Sequence, residues 1–303
     1  MSAPRSSSPW AAFAGCSLIW GTTFLVIRLG EDSVPPVWAA ALRLALAGVL
    51  LAGIVRVRRT RWPRGPALRA AMIYGLLNFG VNFPLLYWGE TRFPSGLSAV
   101  MYATNPLTIA LMARAIGLER LPAGKVIGAL VAFAGVVLIS GGVRGATLAG
   151  AAAVFTAALT AAMSTLALKR APHSDPFGTN AVGCAVGFPV CLAVSFALRE
   201  PHALPHGWPA WGALLYLVVA GSLVAFVLMT WLIHHWPASR AAYVGVVVPI
   251  VAMVVGAAVH HERVGAAALA GSAIVLAGVM IGLRASAPAI TPSPAPVASD
   301  APR

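Results

Sequence analysis

Ten apolar runs dominate the hydrophobic pattern of this chain, and the short segments between them carry Pro and Gly together with most of the Arg and all of the Glu residues. Each run approaches the roughly 20 residues a helix needs to cross a bilayer core at about 1.5 Å per residue. They cover Trp10–Leu29, Pro36–Val55, Leu68–Trp88, Leu97–Ile116, Gly124–Ser140, Leu148–Leu168, Phe177–Leu198, Trp208–Ile233, Ala241–Val259 and Gly265–Leu283. No long alternation of apolar and polar residues interrupts them, so a transmembrane barrel is not expected. The pattern predicts an all-α integral membrane fold of ten transmembrane helices.

Part of this pattern is written twice. Pro106, Glu119, Arg120, Gly128 and Gly135 return 143 positions later as Pro249, Glu262, Arg263, Gly271 and Gly278. Five runs separate Glu119 from Glu262, an odd number, so the two copies must point in opposite directions across the membrane. That is the inverted-repeat arrangement from which alternating access follows. The expected organisation is a cytoplasmic segment 1–9, a five-helix repeat 10–143, a second repeat 148–284 and a disordered cytoplasmic tail 285–303, with the seam at Arg144–Thr147. Gly128 and Gly135, and likewise Gly271 and Gly278, lie seven apart and so near one helix face. This gives the fifth and tenth spans a scaffold or dimer-contact role. Pro106 and Pro249 are candidate paired hinges, with static kinks as the alternative.

Composition agrees with the pattern: 59% of residues are hydrophobic, 10% are charged and the mean hydropathy is +0.84. The net charge of +13 raises the question of nucleic acid. The basic residues flank the spans, however, with Arg56, Arg58, Arg59, Arg61, Arg64 and Arg69 clustered between the second and third. That placement is the positive-inside signature, and it puts both termini in the cytoplasm; no nucleic-acid partner is expected. Cys16, Cys184 and Cys191 fall inside spans without a CxxC pair and read as small buried residues. The first apolar run is as long as a full span, which suits an uncleaved first helix. All eight acidic residues lie in loops, tails or span ends. A proton or sodium pump usually needs a carboxylate within the membrane, so no tight proton coupling is expected.

Polar residues inside the spans are the candidate substrate contacts. Tyr74, Asn78 and Asn82 recur at i, i+4, i+8 and form one stripe on the third span. Ser98, Tyr102 and Asn105 form another on the fourth. Two stripes of amides and hydroxyls could hold the ammonium and carboxylate of an amino acid; the alternative is hydrogen bonding from helix to helix. Trp20, Thr23, Ser164 and Tyr243 could close the ring, with Thr160 and Trp231 as weaker candidates. Trp10, Trp38, Trp88, Trp208 and Trp236 sit at span ends, where interfacial anchoring is the expected role. Arg43 lies about 10 Å inside its helix, either as a structural clamp or as an attraction for substrate. His234-His235 and His260-His261-Glu262 lack the i, i+4 spacing of a helical metal site, so neither a metal nor a cofactor is expected.

Three stretches carry a family resemblance: Ile19-Trp20-Gly21-Thr22-Thr23-Phe24, Ala41-Leu42-Arg43 and the doubled Pro…Glu-Arg…Gly…Gly pattern. The chain resembles the drug/metabolite transporter superfamily, specifically its ten-span EamA-type exporters, from about Trp10 to Leu283. Within these it looks most like the bacterial aromatic amino acid exporters. The resemblance implies two inverted five-helix repeats in the bacterial inner membrane, exporting amino acids, aromatic and other. The alternative is export of another small metabolite or drug. The expected partners are a small-molecule substrate and the lipid bilayer, with a homodimer left open. The second copy departs from the pattern, with Ala161-Ala162 where a Trp-Gly pair would stand.

Overall fold

The computed structural model of the chain describes residues 8–31, 34–90, 102, 104–140, 147–260 and 266–285. Among these residues the secondary structure is entirely helical. Helices α1 (Ser8–Glu31) and α2 (Pro36–Val57) come first. Next, α3 (Pro66–Tyr74) runs through a π-helical stretch, Gly75–Val81, into α4 (Asn82–Glu90). Helices α5 (Asn105–Ala115) and α6 (Ala123–Ser140) follow. The second half holds α7 (Leu148–Arg170) and α8 (Pro176–Ala197). Then α9 (Gly207–Tyr216) passes through a second π-helical stretch, Leu217–Val224, into α10 (Ala225–His235). The chain closes with the one-turn α11 (Ala238–Ala241), α12 (Val244–His260) and α13 (Ala266–Arg284). Among the described residues, five helices have the length and composition to cross a membrane: Pro36–Val57, Pro66–Gly89, Leu148–Arg170, Pro176–Ala197 and Gly207–His235. Shorter apolar helices accompany them.

Local chemistry fixes where these helices start and stop. Pro36, Pro66 and Pro176 occupy the first turn, where a missing N–H costs nothing. Asp175 accepts hydrogen bonds from Phe177 N and Gly178 N at 3.0 and 3.1 Å, and Thr147 accepts one from Gly150 N at 3.1 Å. The free N–H groups of α2 find a remote acceptor: Val37 N and Trp38 N donate to the Glu200 carboxylate at 3.2 and 2.8 Å. Both α2 and α8 end in a left-handed arginine, Arg59 at φ 51° and Arg199 at φ 57°. Each is closed by the same pair of bonds, Arg59 N to Arg56 O with Thr60 N to Val55 O, and Arg199 N to Phe196 O with Glu200 N to Ser195 O. These are Schellman closures built without glycine.

Helices of the two halves interlock. Helix α6 lies along α13, α2 along α8, α1 against α10 and α12, and α7 against α4 and α5. At the α6–α13 crossing a Cβ on Gly128 would stand 2.7 Å from Gly278 O, and one on Gly135 would stand 2.7 Å from Gly271 O. Only glycine permits that approach. The glycine faces of the fifth and tenth predicted spans are therefore spent on each other within one chain. Of their two expected roles, scaffold contact is the one these faces fill.

Other expectations meet the structure differently. Trp236 is buried rather than interfacial. The chain turns there from α10 into α11, which tucks the indole edge-on against Trp10 at 4.9 Å and beneath the Arg240 guanidinium at 4.1 Å. Trp208 is 89% exposed. Pro249 lies inside α12, whereas Pro106 occupies the first turn of α5, so the two prolines sit in different helical settings. Ser98, most of the Arg144–Thr147 seam, Glu262, Arg263 and the tail from 286 lie outside the described residues.

Candidate functional site

The two π-helical stretches organise the interior, because a wider turn withdraws backbone carbonyls from the helical ladder and they need donors from elsewhere. Cys191 Sγ on α8 donates to Phe79 O at 3.2 Å, and Trp20 Nε1 on α1 donates to Gly221 O at 3.3 Å. Cys16 Sγ donates to Ala225 O at 3.4 Å. Two of the three buried cysteines thus serve as small donors to loosened backbone.

One polar cluster gathers around α3, its π stretch and α4. Tyr74 OH donates to Asn180 Oδ1 of α8 at 3.3 Å, and Asn78 Nδ2 donates to Tyr74 OH at 3.5 Å. Asn180 Nδ2 in turn donates to Thr230 Oγ1 at 2.9 Å. Ser164 Oγ of α7 donates to Asn78 Oδ1 at 3.4 Å. Asn82 Nδ2 donates to Tyr102 OH at 2.7 Å and to Ala157 O at 2.6 Å, which joins the two predicted stripes directly. Much of this hydrogen bonding runs from helix to helix. Asn105 adds a buried Oδ1 without a partner among the described residues.

A second cluster surrounds Arg43, only 6% exposed. Its Nε donates to Ser222 Oγ at 2.6 Å and its Nη1 to Tyr87 OH at 3.5 Å. The guanidinium carbon lies 5.6 Å from the ring centroids of both Phe83 and Phe226. Trp20 meets Phe226 edge-on at 5.8 Å, and the Thr23 side chain approaches Gly221. Phe79, Phe83 and Phe226, with centroids 4.9 to 6.2 Å apart, separate this cluster from the first. Among the described residues the one ion pair is Lys125–Glu119 at 2.9 Å, so Arg43 has no carboxylate partner there. Removing a charge from water costs several kcal/mol. A charged hydrogen bond returns about 1.5–3 kcal/mol and a cation–π contact about 0.5–2 kcal/mol. Neutral partners suffice to hold the arginine, and they leave donor capacity to spare.

Beside Arg43 is a cavity of about 50 Å³, lined also by Leu42, Tyr87, Ala213, Leu214 and Leu217. Of the predicted site residues, Tyr74, Asn78, Asn82, Tyr102 and Ser164 come together, as do Trp20 and Thr23. Tyr243 instead turns to α13, fully buried against Gly282, with a hydroxyl that has no partner among the described residues. The sequence stripes overlook Asn180, Ser222 and Thr230: Ser222 and Thr230 are single polar residues in apolar stretches, and Asn180 is paired only with its neighbour Thr179, so no helical spacing marks them. Among the described residues no group of three His, Cys, Asp or Glu side chains is placed to hold a metal. His173 does, however, gather with His234 and His235, at centroid distances of 4.7 and 5.8 Å.

Long apolar helices around buried polar clusters define an all-helical, multi-pass membrane protein. The chain belongs to the EamA-like transporter family, whose model matches it twice, over residues 9–141 and 148–284. It is 30% identical over 291 residues to the uncharacterized inner membrane transporter YedA of Escherichia coli K12, covering 94% of each chain. It is also 26% identical over 270 residues to a probable terminal-alkyne amino-acid exporter of Streptantibioticus cattleyicolor, covering 86% of this chain and 89% of that one. A crystal structure at 22% identity superposes with a TM-score of 0.74 over 93% of this chain and 98% of its own, which shows a shared fold. The protein is a membrane transporter of the inner membrane.

Proposed function

We propose that the protein exports amino acids, aromatic and other, by alternating access between two inverted five-helix halves, ten spans in all with both termini cytoplasmic. The observation that carries the inversion is reciprocity: Gly128 meets Gly278 while Gly135 meets Gly271. Two copies related by a two-fold axis make each contact twice, with the roles exchanged. The paired π stretches, the paired arginine closures and the double family match support the same relation. Pro106 and Pro249 are proposed as the flexible points of the two halves.

An amino acid as cargo rests on two polar clusters on either side of an aromatic partition, with Asn105 Oδ1, which has no partner among the described residues, as an acceptor for an ammonium group. The amino-acid exporter relative supports it. Export of another small metabolite or drug is the alternative. Counterflow of labelled amino acids, nucleosides and sugars in proteoliposomes decides between them: exchange of phenylalanine is expected, and exchange confined to nucleosides or sugars overturns the amino-acid reading.

Transport without tight proton coupling is proposed from two carboxylates with described partners, the buried Glu119 and the half-buried Glu200. Glu119 is tied to Lys125 and Ser239, and Glu200 to the start of α2. Neither stands in mid-span. Accumulation driven by a pH gradient alone in proteoliposomes contradicts this. A homodimer would have to use a face other than the glycine crossing.

A further inference from the structure

Arg43 is the eighth residue of α2, and Gly183 is the eighth residue of α8. Each faces a π-helical stretch. Gly183 meets Gly75 at backbone contact, where a Cβ on Gly75 would lie 2.6 Å from Gly183 O. Arg43 reaches further along its own stretch, bringing its Nη2 to 2.9 Å from where a Cβ on Gly221 would lie. Packing a helix on a π stretch therefore needs only a glycine, as α8 demonstrates. Arg43 holds the matching position of α2 with a buried cation whose partners among the described residues are two hydroxyls and two ring faces. It also lines the cavity of roughly 50 Å³ beside Leu42, Tyr87 and Leu217.

We infer that Arg43 is the anion subsite of the transport pathway and takes the carboxylate of the solute, with Phe83 and Phe226 turned to its apolar part. This rests on the amino-acid reading above. The guanidinium fork donates two parallel bonds to a planar carboxylate. A single positive charge matches a monoanion and leaves a phosphate dianion half uncompensated. Ser222 holds the fork at Nε, and Tyr87 holds it at Nη1 from the cavity wall.

The test is calorimetric binding to the purified full chain in nanodiscs. The probes are phenylacetate, which has the carboxylate alone, phenethylamine, which has the ammonium alone, and chloride. Phenylacetate is expected to bind the natural chain about tenfold more tightly than Arg43→Gln, with Arg43→Lys in between, as loss of a charge-assisted pair predicts. Phenethylamine binding is expected to be equal in all three. Ser222→Ala keeps the charge and frees the fork, and about threefold weaker phenylacetate binding is expected; this variant carries the test if Arg43→Gln does not fold. Equal phenylacetate binding by the natural chain and every variant, no binding by the natural chain, or displacement of phenylacetate by equimolar chloride overturns the inference. Arg43-dependent phenylacetate binding without amino-acid counterflow removes the amino-acid reading and leaves the subsite. Counterflow in which Arg43→Gln still prefers phenylalanine to phenylalaninamide removes the subsite and leaves the function.

Discussion

Phe83 and Phe226 stand 143 positions apart in the chain, yet their rings meet at 6.2 Å, and the Arg43 guanidinium lies 5.6 Å from each. Phe83 follows the first π stretch by two residues and Phe226 follows the second by two. Corresponding residues of two copies touch where a two-fold axis passes, so this pair marks the proposed axis. Arg43, which has no copy, sits beside it. On that proposal the interior is nearly symmetric in its frame and asymmetric in its charge.

Close glycine packing between α6 and α13 makes bulk there costly. Gly128→Val and Gly278→Val are each expected to lower the unfolding temperature in detergent strongly, since overpacking a tight contact costs about 1–3 kcal/mol or more. Gly53→Ala in α2 is the control. A Cβ there meets nothing within 4 Å, and the change is expected to be neutral or stabilising by up to about 1 kcal/mol.

Glu119 and Lys125 form a buried ion pair that also engages Ser239, and so ties the segment between α5 and α6 to α11. Glu119→Ala leaves a buried ammonium unpaired, and a loss of about 3–5 kcal/mol is expected. The double variant with Lys125→Ala is expected to recover at least about 1 kcal/mol relative to the sum of the single losses, measured by a double-mutant cycle in denaturant. Strict additivity shows that the pair does not couple.

Glu200 caps α2 from across the fold. Glu200→Ala removes the acceptor of two backbone N–H groups and of the Ser195 hydroxyl. A loss of about 1–2 kcal/mol is expected, with Glu200→Gln losing less, because the amide oxygen still accepts. Hydrogen exchange is expected to rise first at Val37 and Trp38.

Trp20 is bound to the second π stretch through its indole nitrogen. Trp20→Phe keeps the ring contact with Phe226 and deletes the donor to Gly221 O, with an expected cost of about 1–3 kcal/mol for the unpaired carbonyl. If Trp20 also contacts substrate, counterflow slows in Trp20→Phe by more than its thermal destabilisation predicts. Counterflow unchanged in Trp20→Ala removes it from the pathway.

The five long apolar helices were legible in the sequence because crossing a bilayer imposes length and apolarity on each. The glycine contact was legible for a similar reason, since backbone contact admits one residue type. The π stretches were not. Gly75-Leu76-Leu77-Asn78-Phe79-Gly80-Val81 and Leu217-Val218-Val219-Ala220-Gly221-Ser222-Leu223-Val224 share little, and only the first is followed by a proline, Pro84. A widened turn is stabilised by donors from other helices, Cys191 and Trp20, which no local pattern reveals. The same limit hid the partners of the polar stripe. Tyr74 and Asn82 were readable as inward, but Asn180 and Ala157 O, which receive their hydrogen bonds, belong to helices chosen by tertiary packing. Tyr243 looked like a fourth wall of the same site and instead fills space against Gly282.

Inversion of the two halves is the claim on which the account depends, and two corresponding loops test it directly. Arg64 follows the left-handed Arg59 and precedes Gly65, while His206 follows the left-handed Arg199 and precedes Gly207. The three native cysteines are buried, so a new surface thiol can be read alone. In intact cells a membrane-impermeant maleimide is expected to label His206→Cys and to leave Arg64→Cys unlabelled until the membrane is opened. Labelling of both from the same side would make the halves parallel and contradict the account.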